Sequence, residues 1–161
     1  MYEKLKETVH YILAGCKDKP NVGKVVLFKL LYFSDFNFYK KHYEPITGTN
    51  YRKLDFGPAP QKEQIDPALR ELEKEGKIKI SVSELDGSYK FKILKEPEIK
   101  ILSKEEIEVI DRVIERLGHC NASEISKISH LDTPWQVTPK NKIIKYDLVF
   151  YRDEEVVIQV E

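Results

Sequence analysis

The segment Val22–Lys41 constrains the fold more than any other. Val25, Val26, Leu27, Phe28, Leu30, Leu31, Tyr32, Phe33, Phe36, Phe38 and Tyr39 follow so densely that a helix through them is apolar on nearly every side. Such a helix has to be covered by its neighbours, and it predicts the spine of the core. On a wheel of about 100° per residue, Asp35 falls among Leu27, Phe28, Leu31, Phe38 and Tyr39, in the middle of the apolar arc, while Lys29, Ser34, Asn37, Lys40 and Lys41 gather opposite. A carboxylate in that position must be hydrogen-bonded or paired, because an unpaired buried charge is very costly. It can serve as a structural tie, to backbone amides or to a base such as Arg52, or as a catalytic carboxylate. No second acid or nucleophile stands at a spacing that pairs with it, which favours the tie.

The rest of the chain supplies elements to cover the spine. Tyr2, Leu5, Val9, Ile12 and Leu13 recur at helical spacing up to Gly15. Pro45-Ile46-Thr47-Gly48 breaks the spine helix, Thr49–Leu54 reads as a short extended stretch, and Gly57-Pro58-Ala59-Pro60 as a stiff connection. Asp66-Pro67 offers a cap and a first-turn proline for a helix ending at Gly76. Ile78, Ile80 and Val82 alternate, Asp86-Gly87 turns, and Tyr89, Phe91 and Ile93 alternate again, which predicts a β-hairpin. Ser103 and Glu106 make a capping box before a helix that stops at Gly118, and a short helix follows over Ser123–Ser129. Alternation of Ile144, Tyr146, Leu148 and Phe150, then of Val156 and Ile158, predicts a C-terminal hairpin around Arg152–Glu155. The expected class is α+β and mostly helical, a buried central helix with flanking helices and an antiparallel hairpin. With no linker or repeat to divide it, residues 1–161 are expected to form a single domain.

Composition excludes several classes of function. Apolar residues make up 41% and charged residues 34%, too apolar for a disordered chain. The 27 basic and 27 acidic residues cancel, so no general attraction to nucleic acid or anionic lipid follows. No apolar run approaches the ~18 residues of a membrane span, and the N-terminus lacks a signal pattern, so a cytoplasmic location is expected. Cys16 and Cys120 are isolated, and the histidines His10, His42, His119 and His130 sit singly, so no metal and no cofactor are expected. A phosphate loop, a His-Glu-x-x-His pair and a Gly-x-Ser-x-Gly elbow are all missing from the sequence.

Two features leave alternatives open. Trp135, the single tryptophan, can anchor a satellite of the core or stand at an interface, where Trp is favoured. The helix at Asp66–Glu75 with the hairpin Lys77–Leu94 has the outline of a winged-helix DNA reader. That helix, however, carries Arg70 and Lys74 against Asp66, Glu71, Glu73 and Glu75, and phosphates repel an acidic helix. The wing is basic through Lys77, Lys79, Lys90 and Lys92, so DNA remains an option that is not favoured.

Lys29-Leu30-Leu31-Tyr32-Phe33-Ser34-Asp35-Phe36 resembles the "KLLYFAD" helix of the Panacea family, also called SocA-like or GepA-like. Pro45-Ile46-Thr47-Gly48, then Tyr51, then Asp55-Phe56-Gly57-Pro58-Ala59-Pro60 is similar to that family's "PITG…Y…GPV" block, with Ala59 where valine is common. Leu72–Gly76 matches the helix end that follows, and Ser129-His130 through Pro134-Trp135 matches a later His…Pro-Trp element, so the resemblance covers about residues 1–136. It implies an antitoxin that neutralises a protein toxin, usually encoded beside it, by direct contact. SocA itself works differently, as an adaptor that delivers its toxin to a cytosolic protease, so an AAA+ protease is a further partner to consider. The resemblance brings no catalytic residues and implies no enzyme. It marks Lys29, Tyr32, Asp35, Pro45, Thr47, Gly48, Tyr51, Gly57 and Pro58 as scaffold positions, and His130, Pro134 and Trp135 as candidate partner contacts. The competing functions are a winged-helix regulator and an enzyme built around Asp35, Asp55 and His130.

Overall fold

The structure is a computed structural model and describes residues 2–161. Its elements in chain order are α1 (Tyr2–Gly15), α2 (Lys24–His42), β1 (Tyr51–Leu54), β2 (Gly57–Pro60), α3 (Lys62–Lys74), β3 (Ile78–Val82), β4 (Tyr89–Ile93), α4 (Lys104–Leu117), α5 (Ala122–His130), α6 (Thr133–Val137), a 3-10 turn (Tyr146–Tyr151) and α7 (Glu154–Val160). Helices account for 54% of the residues and strands for 12%, which establishes the α+β, mostly helical class.

The spine helix α2 sits at the centre, covered by α1, α4, α5, β2 and the 3-10 turn. Its apolar side chains from Val26 to Phe38 are buried almost without interruption. The polar side chains Lys29, Ser34 and Asn37 are buried as well, on the face the wheel assigns to polar groups. Ser34 Oγ donates back to the Leu30 carbonyl at 2.7 Å and Asn37 Nδ2 donates to the Val160 carbonyl at 2.7 Å, so the C-terminal segment closes over that face. The helix ends at Tyr43, which takes a left-handed conformation and donates its N–H to the Tyr39 carbonyl.

Two hairpins complete the architecture. Tyr51–Leu54 and Gly57–Pro60 pair antiparallel across Asp55-Phe56, Leu54 opposite Gly57 and Tyr51 opposite Pro60. The stiff connection is therefore a strand in its own right. The free edge of β1 is covered by residues 141–144, through Lys53 N to the Lys142 carbonyl (3.0 Å) and Ile144 N to the Tyr51 carbonyl (2.8 Å). β3 and β4 pair as the alternation predicts, Ile80 opposite Phe91.

Two boundaries differ from expectation. α3 starts at Lys62, with Pro67 inside it rather than in its first turn. The start has no side-chain cap, and Gln64 instead accepts from the Asn50 amide at 2.9 Å, so the sequence carries no cap signal there. The larger correction is at the C-terminus, where no hairpin forms. The residues that are buried there are Val149, Arg152, Val156 and Val160, a spacing of three and four that suits helix. Arg152 looks like a turn residue in sequence but is a buried anchor, and its ion pair overrides the β-preference of Val156, Val157 and Ile158. Glu154 and Glu155 in the first turn of α7 fit the helix dipole.

Candidate functional site

The family-type residues on α2 and in the loop after it form a buried knot. Asp35 is fully buried and accepts from Thr47 N (2.7 Å), Thr47 Oγ1 (2.6 Å) and Tyr51 OH (2.6 Å). Pro45 lies in the loop after α2, and Gly48, at φ 71°, adopts the left-handed conformation that glycine favours. Arg52 does not meet Asp35; its guanidinium donates to the Asn141 carbonyl at 2.8 Å. Burial pushes the Asp35 carboxyl up to about 6 even against three hydrogen bonds. The same burial raises the Tyr51 phenol well above its ordinary range.

A second buried network joins α2 to the C-terminal segment. Arg152 forms a bidentate pair with Asp132, whose Oδ2 also accepts from Tyr32 OH at 2.7 Å. Arg152 Nη1 reaches Asn37 Oδ1 at 2.6 Å and Glu161 Oε2 at 3.1 Å. Neither Asp132 nor Arg152 is singled out by sequence, where Arg152 opens the charged run Arg152-Asp153-Glu154-Glu155 and looks like part of a turn.

Lys29 has a different environment. It is buried, yet makes no ion pair or hydrogen bond among the described residues, and desolvation pulls its ammonium down to about 8. It lies beneath Gly57, where φ is +109° and an added Cβ would fall 2.8 Å from Lys29 Cε and 2.4 Å from Ser129 Oγ. Pro58 beside it is buried in β2.

The tip of the β1–β2 hairpin leads from this interior to the surface. Trp135 Nε1 donates to the Leu54 carbonyl at 3.1 Å, and the indole stacks on His130 at 4.4 Å between centroids. Lys53 Nζ lies 4.3 Å from the centroid of the same indole and donates to the Gln136 carbonyl. His130 Nε2 is buried without a partner, and Pro134 is buried behind Trp135. On the hairpin and on α6, the two elements this half-buried stack joins, Phe56 is 76% exposed, Val137 58% and Leu54 39%. Trp135 thus both packs against the core and borders an apolar surface. Phe56, Leu54 and Val137 carry no periodicity that marks them as exposed, and sequence reasoning missed them.

The remaining candidates are not gathered at one place. Asp35 has no exposed surface, while Asp55 stands in solvent with Lys140 at 3.3 Å, so these two carboxylates do not line a common cleft. Among the described residues no three His, Cys, Asp or Glu side chains are grouped to hold a metal ion. In the winged-helix outline, the apolar side of α3 packs on α1, and Glu71 and Glu75 pair with Lys6 of α1. No helix among the described residues is long and apolar enough to cross a membrane.

The fold and these surfaces define a helical module with a buried polar core and a small apolar face at one hairpin tip. A family model described as "Antitoxin SocA-like, Panacea domain" matches residues 27–136 of the 161. The chain belongs to this SocA-like Panacea antitoxin family. No curated protein and no solved structure matches it. The matched region includes all but the first three residues of α2 and the Trp135 stack, whereas Arg152 lies beyond it.

Proposed function

We propose that this protein is the antitoxin of a toxin–antitoxin pair, folded as one domain, and that it neutralises a protein toxin encoded beside it by direct contact through the β1–β2 hairpin tip. Family membership supports the antitoxin role. The observation that carries the choice of surface is the exposure of Phe56, Leu54 and Val137 around Trp135 and His130. Exposed apolar side chains on the hairpin and on α6 leave surface in water that a partner can cover, and aromatic anchors such as Trp are favoured at such contacts. Tyr32, Asp35, Thr47 and Tyr51 are sealed in the core and serve to hold this surface in place.

Co-expression with the adjacent reading frame tests the proposal. Growth arrested by that product should be restored by the wild-type chain, and the two should elute as a stoichiometric complex. Phe56→Ser, at an exposed position, should leave the melting temperature unchanged and abolish rescue. If the toxin disappears only when an ATP-dependent protease is present, delivery to that protease replaces masking. An adjacent product without toxicity, or one that the chain fails to neutralise, would overturn the antitoxin reading.

A further inference from the structure

The surface around the hairpin tip is basic in a chain whose net charge is zero. Segments 50–58 and 133–145 together carry Arg52, Lys53, Lys140, Lys142 and Lys145 against one acid, Asp55. They are brought together in space because residues 141–144 run along β1 and α6 packs on the hairpin through Trp135. Lys140 alone of these bases has a carboxylate within ion-pair distance; Arg52, Lys53 and Lys142 have none among the described residues. Arg52 and Lys53 donate only to the carbonyls of Asn141 and Gln136, which leaves their charge uncompensated. Behind the tip, His130 Nε2 is a further buried polar atom without a partner.

We infer that this face receives an acidic segment of the toxin, its carboxylates against Arg52, Lys53, Lys140 and Lys142 and an apolar side chain against Phe56 and Trp135. The inference rests on the antitoxin reading above. An apolar centre with a charged rim is the layout of a protein interface. A nucleic-acid site draws much of its affinity from phosphate contacts made by clustered bases. Here the bases are few and surround Phe56, Leu54 and Val137, which offer nothing to a phosphate. The rim charges would mainly steer the encounter, so their effect belongs in the association rate and its salt dependence.

The test uses the full chain and the purified product of the adjacent reading frame, with association measured at low and high salt. Lys140→Glu/Lys142→Glu reverses two exposed rim charges. Lys79→Glu/Lys92→Glu makes the same change in net charge on the exposed faces of β3 and β4, and serves as the control. The rim variant should associate about tenfold more slowly at low salt and lose most of the salt dependence, while the control binds like wild type and both keep the wild-type melting temperature. If wild type binds but the rim variant is unaffected, or both variants weaken equally, the inference is wrong while the antitoxin reading stands. If the rim variant loses retardation of promoter DNA and keeps toxin binding, the face is a nucleic-acid site instead. If wild type itself does not bind, the antitoxin reading falls and the inference falls with it.

Discussion

Arg152 and Asp132 pair through two hydrogen bonds, Nε to Oδ1 at 2.7 Å and Nη2 to Oδ2 at 3.1 Å, and neither side chain has any exposed surface. One partner lies within the region that matches the family and the other lies beyond it. The pair therefore ties the C-terminal segment to the start of α6 and to α2, with Tyr32 and Asn37 completing the network.

Removing one partner should be costly. Arg152→Met leaves the Asp132 carboxyl in the core with only Tyr32 as a donor, and single-sided loss of a buried pair costs about 3–5 kcal/mol. Urea denaturation should show that loss. Replacing both residues by apolar ones of similar volume should recover much of it, since a buried pair repays little of its own desolvation. Equal instability of the single and double variants would show that the network matters for its shape and not for its charge.

Asp35 makes stability depend on pH in an unusual direction. Its carboxyl holds its proton up to about 6 in the folded chain, against about 4 when unfolded. Between those values the folded state binds more protons than the unfolded one, so stability falls as pH rises from about 4 to about 6. The size is on the order of 3 kcal/mol. In Asp35→Asn this slope should vanish, so the difference in unfolding free energy between variant and wild type should titrate in that window. Asp35→Ala should instead lose about 3 kcal/mol or more at every pH, because Thr47 N, Thr47 Oγ1 and Tyr51 OH all lose their acceptor. A flat difference between Asn variant and wild type would mean that Asp35 stays ionised throughout.

Much of this interior was legible in sequence. The density of apolar residues over α2 announces a buried helix, and a carboxylate in its apolar arc announces a hydrogen-bonded tie. Ser103 and Glu106 do form the capping box that their spacing suggests. Local periodicity reports which side chains are buried, but not which distant segment covers them. The run Lys140–Ile144 gives no hint that it lies along β1, because the pairing of Lys53 with Lys142 spans most of the chain. The C-terminal hairpin was misread for the same reason: one long-range ion pair at Arg152 outweighs the strand preference of its neighbours. The hairpin-tip surface was only half legible, Trp135 by its rarity and Phe56 not at all.

Gly57 tests how tightly the hairpin tip sits on α2 and α5. At φ +109° a side chain is strained, and a Cβ would approach Ser129 Oγ to 2.4 Å and Lys29 Cε to 2.8 Å. Lys29 can shift its flexible end, but Ser129 is fixed by its hydrogen bond to the Ser126 carbonyl. Gly57→Ala should therefore cost about 2–4 kcal/mol, seen as a lower melting temperature. It should also alter the fluorescence of Trp135, whose indole is bonded to the same hairpin through the Leu54 carbonyl. A melting temperature within a degree or so of wild type would show that the tip moves freely and is not a rigid platform.

Lys29 gives the complementary case, a buried side chain whose desolvation works against its charged form. Desolvation lowers its ammonium to about 8 and no carboxylate offsets the cost. Unfolded, the same group titrates near 10.4. Between about 8 and about 10 the unfolded chain therefore holds a proton that the folded chain has released, and the contribution of Lys29 makes stability rise with pH. Lys29→Met keeps the aliphatic stem and removes the charge, so at neutral pH it should stabilise the free protein by about 1–2 kcal/mol. The gain should shrink as pH approaches 10, where wild type no longer carries the charge. Denaturation of the two proteins at pH 7 and at higher pH reads this directly, and other titrating groups cancel in the difference. A destabilised Met variant would mean that the ammonium is satisfied in the folded chain. A stabilised one that no longer binds the toxin would show that the charge is kept for the partner at the expense of the fold.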